Sequence, residues 1–433
     1  MKVVLNSHQY AVLGVFVLVI SQTVSLPYEK NSVLYPSKRQ IPSSNHFTTG
    51  KVFLLGGATD DKSSSIYNAL RKSTGKVNPT IAVVISAASS LAVGLEAYYE
   101  PDEVSKSYEQ LFTDYGFQPS VVLLAQDNYN EGGNVSTQLG AQNIEIIRNA
   151  DVVFFNGGDQ SRHTRSWFND DGSDSDILHE LRLRFASGET VIAGTSAGLA
   201  IQSNPTFGEG RSYGYYYFDA DLKPCQIGES LLDDRQGQDS FRAQENGGYM
   251  KGFEFVRGAL TDSHFDARGR FARLVVAMRA TNKLFGVGVD EDTALFINQD
   301  NATVFGRYGV WIVNSTEASF TNSTQYFEAT NVKINYLTEG DSFDISTGQL
   351  VTSKNLVTES DGEVYESEDI FDTDEALKSI SSLATSASMA SVGSSFETEP
   401  TARIVFQKTA STKFFKEGNN LAITNMQLDI GTM

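Results

Sequence analysis

Six short, mainly apolar runs recur along the first two thirds of the chain, and they constrain the fold more than any other feature. Val52–Leu55 runs into Gly56-Gly57, and Ile81–Ile85 into Ser86-Ala87-Ala88-Ser89. Val121–Leu124 and Val152–Phe155 follow, the second ending in Gly157-Gly158. Thr190–Ala193 runs into Gly194, and Leu284–Val289 precedes Asp290-Glu291-Asp292. Runs of four to six apolar residues without polar alternation suit strands buried on both faces. Helical patterns separate them, among them Ser105–Tyr115 and Asp176–Ala186, the latter preceded by capping residues Asp174 and Ser175. Strand and helix in this alternation predict an α/β fold on a parallel sheet. Ligands of such sheets bind outside the carboxyl ends of the strands, where the glycine turns fall.

Around this frame the segments divide as follows. Residues 1–25 have a lone early charge and a ten-residue apolar run, Ala11–Ile20, followed by the small-residue site Thr23-Val24-Ser25. That is the build of a secretory signal peptide, too short to span a bilayer about 30 Å thick. An extended lead-in occupies residues 26–48 and the α/β domain residues 49–300, with residues 199–262 a long Tyr- and Gly-rich insertion. Residues 301–356 read as a β-rich extension, with runs such as Thr303–Phe305 and Val310–Val313. Residues 357–433 read as an acidic, Ser-rich tail with a terminal β segment, loose across Ser379–Ser395.

The net charge of −19 repels phosphate backbones and excludes sequence-blind nucleic-acid binding. Nine of the acids lie between Glu359 and Glu375 without a Lys or Arg among them. Such a cluster reads as a solvated tail or as a weak contact for Ca²⁺ or a matrix surface. Cys225 is the only cysteine and excludes a disulfide scaffold. Sequons at Asn134, Asn301, Asn314 and Asn322, behind a signal peptide, predict a secreted glycoprotein with no membrane attachment after cleavage.

The chemistry centres on Gly194-Thr195-Ser196-Ala197-Gly198. A serine on a tight strand-to-helix turn is a nucleophile's setting, because flanking glycines avoid clashes there and backbone N–H groups face the developing oxyanion. Its base is sought among five histidines. His8 and His46 lie in the leader segments, and His179 falls on the polar face of a helix. His163 follows the Gly157-Gly158 turn near the expected mouth of the site. His264, in Thr261-Asp262-Ser263-His264-Phe265 after an apolar run, is the preferred base. Asp290-Glu291-Asp292, between a strand and an apolar run, reads as a structural turn rather than a metal site. No cofactor or metal is expected.

Five separated motifs, in order, resemble cyanophycinase and its relatives, the serine peptidase family that also contains aspartyl dipeptidase. They are Leu55-Gly56-Gly57, Phe155-Asn156-Gly157-Gly158-Asp159-Gln160, the Ser196 pentapeptide, Asp262-Ser263-His264-Phe265 with Arg268, Arg270 and Arg273, and Gly288–Leu295. The resemblance implies a flavodoxin-like sheet, similar to class I glutamine amidotransferases, with a nucleophile elbow. It implies Ser196 as nucleophile and His264 as base, with the Gly158 and Ala197 N–H groups as oxyanion hole. Gln160, Asp262, Arg268, Arg270 and Arg273 would line the substrate pocket. Arginine forks suit a peptide or polyaspartate substrate with free carboxylates.

Two departures stand out. Ser263 replaces a glutamine of cyanophycinase, and the third acid, sought between serine and histidine, falls at Gly214 in an ungapped comparison. Glu209, Asp219 and Asp221 lie nearby, and Glu209 is taken as the expected acid. The reading is a secreted serine hydrolase of aspartyl peptide or β-aspartyl isopeptide bonds. Its alternatives are a catalytically degenerate acidic extracellular glycoprotein on the same fold, and a general esterase with the same pentapeptide.

Overall fold

In the computed structural model the described residues are 47–208, 212, 249–321, 326–358 and 361–433. The signal peptide, nearly all of the lead-in and most of the insertion lie outside them. So do Glu209, Asp219, Asp221, Cys225, Asn322 and Glu359.

Five strands form the parallel part of one sheet: β1 (Lys51–Leu55), β2 (Thr80–Val84), β3 (Gln118–Val122), β4 (Val152–Phe155) and β5 (Val191–Thr195). Their order is β1-β5-β4-β2-β3, all parallel. The apolar runs are the cause: Val152–Phe155 and Ile192–Ala193 are sealed between helices on both faces. β3 starts three residues before the expected run because it is the sheet's edge, where Pro119 needs no ladder partner for its nitrogen.

On the far side of β1 the sheet turns antiparallel through Thr293–Asn298, Asn301–Gly306, Ser342–Asp344 and Gln349–Val351. The fold is thus a mixed α/β sheet with flanking helices rather than a purely parallel one. Leu284–Val289, expected among the parallel strands, instead opens a second sheet as Phe285–Val289. It pairs parallel to Ala259–Asp262, with helix Phe271–Thr281 crossing between them. The second sheet continues antiparallel through Gly309–Asn314, Glu328–Thr338 and the long strand Asn420–Thr432.

The end of the chain differs most from expectation. The expected terminal β segment is the strand Asn420–Thr432, but the stretch Ser379–Ser395, read as loose, is largely regular structure. Asn420–Thr432 pairs with Glu328–Thr338, Ala402–Gln407 and Lys413–Glu417, and Asn355–Leu356 pairs with Lys413–Glu417. The expected boundaries at 300/301 and 356/357 therefore fall inside sheets. Within the Ser-rich stretch, Glu375–Ala384 is a helix and Ala390–Ser394 a strand. The helix buries Ala376, Ile380, Leu383 and Ala384, a one-face pattern that its serines obscured. Ile404, Phe406, Leu428 and Ile430 are buried below it. At about 1.5–3 kcal/mol per buried aliphatic or aromatic side chain, this region adds a core rather than an appendage. No described helix is long and apolar enough to cross a membrane.

Candidate active site

Carboxyl ends of strands from both sheets converge on one point. β1 leads into Gly56, β4 into Asn156, β5 into Ser196, Ala259–Asp262 into His264 and Phe285–Val289 into Asp290. The turn after β1 ties them together. Ser196 N–H donates to Leu55 O at 3.1 Å, His264 N–H to Gly56 O at 2.8 Å and Asp292 N–H to Gly57 O at 3.0 Å. Gly57 has φ +99°, and a Cβ there would stand 2.3 Å from the His264 ring. Only glycine admits the imidazole.

Ser196 has φ 54° and ψ −113°, outside the regions open to ordinary residues. His264 has φ 47°. Such conformations cost on the order of 1–3 kcal/mol each and persist where surroundings enforce them. The enforcement is visible around Ser196. A Cβ on Gly194 would lie 2.2 Å from Gly198 O, and one on Gly198 would lie 2.2 Å from Phe155 O. The two glycines let the turn fold back upon β4 and β5.

The strained serine and histidine meet. Ser196 Oγ lies 2.8 Å from His264 Nε2, and His264 Nδ1 lies 2.7 Å from Glu291 Oε1. A carboxylate only accepts, so Nδ1 carries the ring proton and Nε2 faces Ser196 as an acceptor. Burial pushes the His264 pKa down to about 4, helped by the Arg268 charge, against the upward pull of Glu291. The ring is therefore neutral at physiological pH.

Sequence reasoning missed Glu291. It sought the acid between Ser196 and His264 and read Asp290-Glu291-Asp292 as a turn. Glu209 itself lies outside the described residues; Nδ1 of His264 has its partner in Glu291. The three consecutive acids do three jobs. Asp292 Oδ1 accepts from Asp60 N–H at 3.1 Å and from the Ser63 hydroxyl. Asp290 accepts from Asp266 N–H at 3.0 Å and from the Tyr336 hydroxyl at 3.2 Å, and burial raises it to about 7. Glu291 alone is directed at the histidine. The available signal was the acid run directly after a buried strand.

A cavity of about 590 Å³ opens above this line, and the expected oxyanion and substrate residues border it: Gly158, Gln160, Ala197, Asp262, Arg268, Arg270 and Arg273. Their states differ. Arg273 is buried and grips Asp262 with two bonds, Nε to Oδ2 at 2.7 Å and Nη2 to Oδ1 at 2.5 Å. Arg270 Nη1 reaches Asp262 Oδ1 at 3.2 Å and Ser263 O at 2.7 Å. Burial pushes the Asp262 pKa up, but the two arginines hold it below its usual value. Asp262 thus braces the histidine loop. Arg268 is exposed and pairs with no carboxylate among the described residues. Gln160 Nε2 donates to Phe207 O at 3.1 Å and to Gly208 O.

The opposite wall comes from the supposed tail: Asp369, Phe371, Asp372, Thr373, Phe396 and Glu397. Thr373 Oγ1 donates to Ala267 O at 2.9 Å, Leu377 N–H to Asp266 Oδ1 at 3.2 Å, and the Phe271 and Phe371 rings lie 5.6 Å apart. No local pattern connects residues 110 positions apart, so this wall could not be read from sequence. His163, expected near the mouth, is fully buried behind the Gly157-Gly158 turn. Among the described residues no group of three His, Cys, Asp or Glu side chains could hold a metal ion.

No protein-family model matches the chain. It is a distant homologue of cyanophycinases. It is 26% identical over 308 residues to the cyanophycinase of Synechococcus elongatus, covering 70% of this chain and 81% of that protein. It is 24% identical over 310 residues to that of Geminocystis herdmanii, covering 70% of this chain and 96% of that one. Among solved structures, a peptidase from an acI-B1 Actinobacterium superposes with a TM-score of 0.43 at 15% identity, over 69% of this chain and 98% of its own.

Proposed function

We propose that this protein is a secreted serine-type hydrolase of aspartyl peptide or β-aspartyl isopeptide bonds. The observation that carries the reading is the line Ser196–His264–Glu291, with links of 2.8 and 2.7 Å, at the floor of a cavity bordered by arginines. The distant homology to cyanophycinases supports it, as does the strained turn that presents Ser196 at the end of β5, which we take as a nucleophile elbow in a flavodoxin-like parallel core.

In this reading Ser196 Oγ attacks the scissile carbonyl while neutral His264 takes its proton. Glu291 holds the ring in the acting tautomer and stabilises the imidazolium that forms. The tetrahedral oxyanion accepts from Gly158 and Ala197 N–H, neither of which donates to a protein atom among the described residues. One such donor contributes about 10²–10³-fold to the rate. His264 then protonates the leaving amine, and water hydrolyses the acyl-enzyme by the same route. Arg268 is the guanidinium placed to bind a substrate carboxylate. The degenerate-protein alternative drew on the leader, the sequons, the Glu359–Glu375 cluster and an unresolved third acid, and the Glu291 contact to His264 weighs against the last of these. Secretion rests on the leader sequence and on sequons whose Asn134 and Asn301 are exposed.

The test is release of β-aspartyl-arginine from insoluble multi-arginyl polyaspartate. Wild type is expected to release it and Ser196→Ala to release none. Hydrolysis of aspartyl dipeptides alone would move the substrate to that class, and equal release by both proteins would overturn the mechanism.

A further inference from the structure

A second Ser–His pair lies beneath the active site. Ser86 Oγ and His163 Nδ1 are 2.7 Å apart, both residues fully buried, and His163 Nε2 lies 3.1 Å from Asn156 O. Trp167 Nε1 lies 3.0 Å from the same Ser86 Oγ. The chemistry of these atoms admits one direction of donation. A carbonyl only accepts, so Nε2 must carry the proton; burial pushes the His163 pKa down to about 4, so Nδ1 has none. Nδ1 therefore accepts from the Ser86 hydroxyl, which in turn accepts from the indole N–H, a group that only donates. The other tautomer would set a ring lone pair against the Asn156 carbonyl and leave Ser86 with two donors aimed at it.

The chain ends on the peptide that leads into the Gly157-Gly158 turn. Asn156 is held at both backbone polar atoms: its O by His163, and its N–H by Val84 O at 3.0 Å. Asn156 Oδ1 accepts from Ala87 N–H and Asp159 N–H donates to Ala87 O, each at 3.2 Å. The turn is packed on the nucleophile, since a Cβ on Gly157 would lie 3.4 Å from Ser196 Cβ. With Asn156 held before the turn and Asp159 after it, the Gly158 N–H between them has its direction set.

We propose that His163 is a positioning residue, the last link of the Trp167–Ser86–His163 chain, and that it orients the Asn156–Gly158 turn so that Gly158 N–H meets the oxyanion formed at Ser196. This rests on the hydrolase reading above. Ser86 and His163 are not a second catalytic pair, because neither reaches solvent and both ring nitrogens are engaged.

The test combines kinetics with ¹⁵N NMR of histidine-labelled full-length protein, the His163 ring being assigned by its loss in a variant. His163→Phe keeps the ring's bulk and removes both hydrogen bonds; His163→Gln can donate to Asn156 O and accept from Ser86. For His163→Phe, kcat is expected to fall about 10²-fold, the scale of a misplaced or lost oxyanion donor, with KM changed less than about threefold. His163→Gln is expected to recover most of that loss. The NMR spectrum is expected to show Nε2 protonated and Nδ1 bare, unchanged from pH 5.5 to 8. An active wild type whose His163→Phe keeps its kcat, or whose two variants lose equally, overturns the positioning role alone. A ring protonated at Nδ1 does the same. An inert wild type with the expected ring tautomer overturns the hydrolase reading and takes the positioning role with it.

Discussion

Two serine–histidine pairs, 2.8 and 2.7 Å long, each touch the Asn156–Gly158 turn. Ser196 has φ 54° and faces a cavity, while Ser86 is absent from the positive-φ residues and is sealed. His264 meets a carboxylate at Nδ1, and His163 meets a backbone carbonyl at Nε2. The difference teaches that distance does not make a nucleophile. Access, backbone strain and the third partner do. A carboxylate stabilises the imidazolium that a base must become, whereas a neutral carbonyl in a buried site leaves that charge uncompensated.

The comparison breaks first at the serines. Ser196→Ala is expected to lower kcat on the order of 10⁶-fold, as loss of a serine nucleophile does. Ser86→Ala should lose far less, about 10–10²-fold, because it disturbs only the turn. Comparable losses in steady-state assays would erase the distinction. The third partner is next. Glu291→Gln keeps a hydrogen-bonding group but not the charge, and a kcat loss of about 10⁴-fold is expected. Glu209→Gln should change kcat by less than about threefold; the reverse ranking would return the acid to the insertion.

The smallest effect lies in the pH profile. A base must be neutral to act, so kcat/KM rises as pH climbs through the free-enzyme pKa, and His264 places that limb near 4. Arg268→Ala removes a charge that pushes the ring down, so the limb should move up toward the ordinary histidine value of about 6.5. An unmoved limb would show that burial alone sets it.

Much of the half that holds Ser196 was legible in the sequence because its physics is local. Val152–Phe155 and Asp176–Ala186 form the strand and helix read from their patterns. Gly194–Gly198 announced its turn because the flanking glycines are demanded by close approach of backbone atoms. Glu291 and the wall formed by Asp369 and Thr373 were not legible. Each is placed by pairing of strands far apart in sequence, and no periodicity reports that. The helix Glu375–Ala384 was misjudged for a different reason. Its serines read as low complexity, although Ala376, Ile380, Leu383 and Ala384 carry a clear apolar face.

The central claim is that Ser196, and not its buried counterpart, is the nucleophile. A fluorophosphonate probe followed by peptide mapping tests it most directly. One adduct is expected on wild type, at Ser196, slowed sharply in Glu291→Gln and absent from Ser196→Ala. Equal labelling of wild type and Ser196→Ala, or an adduct at Ser86, would contradict it.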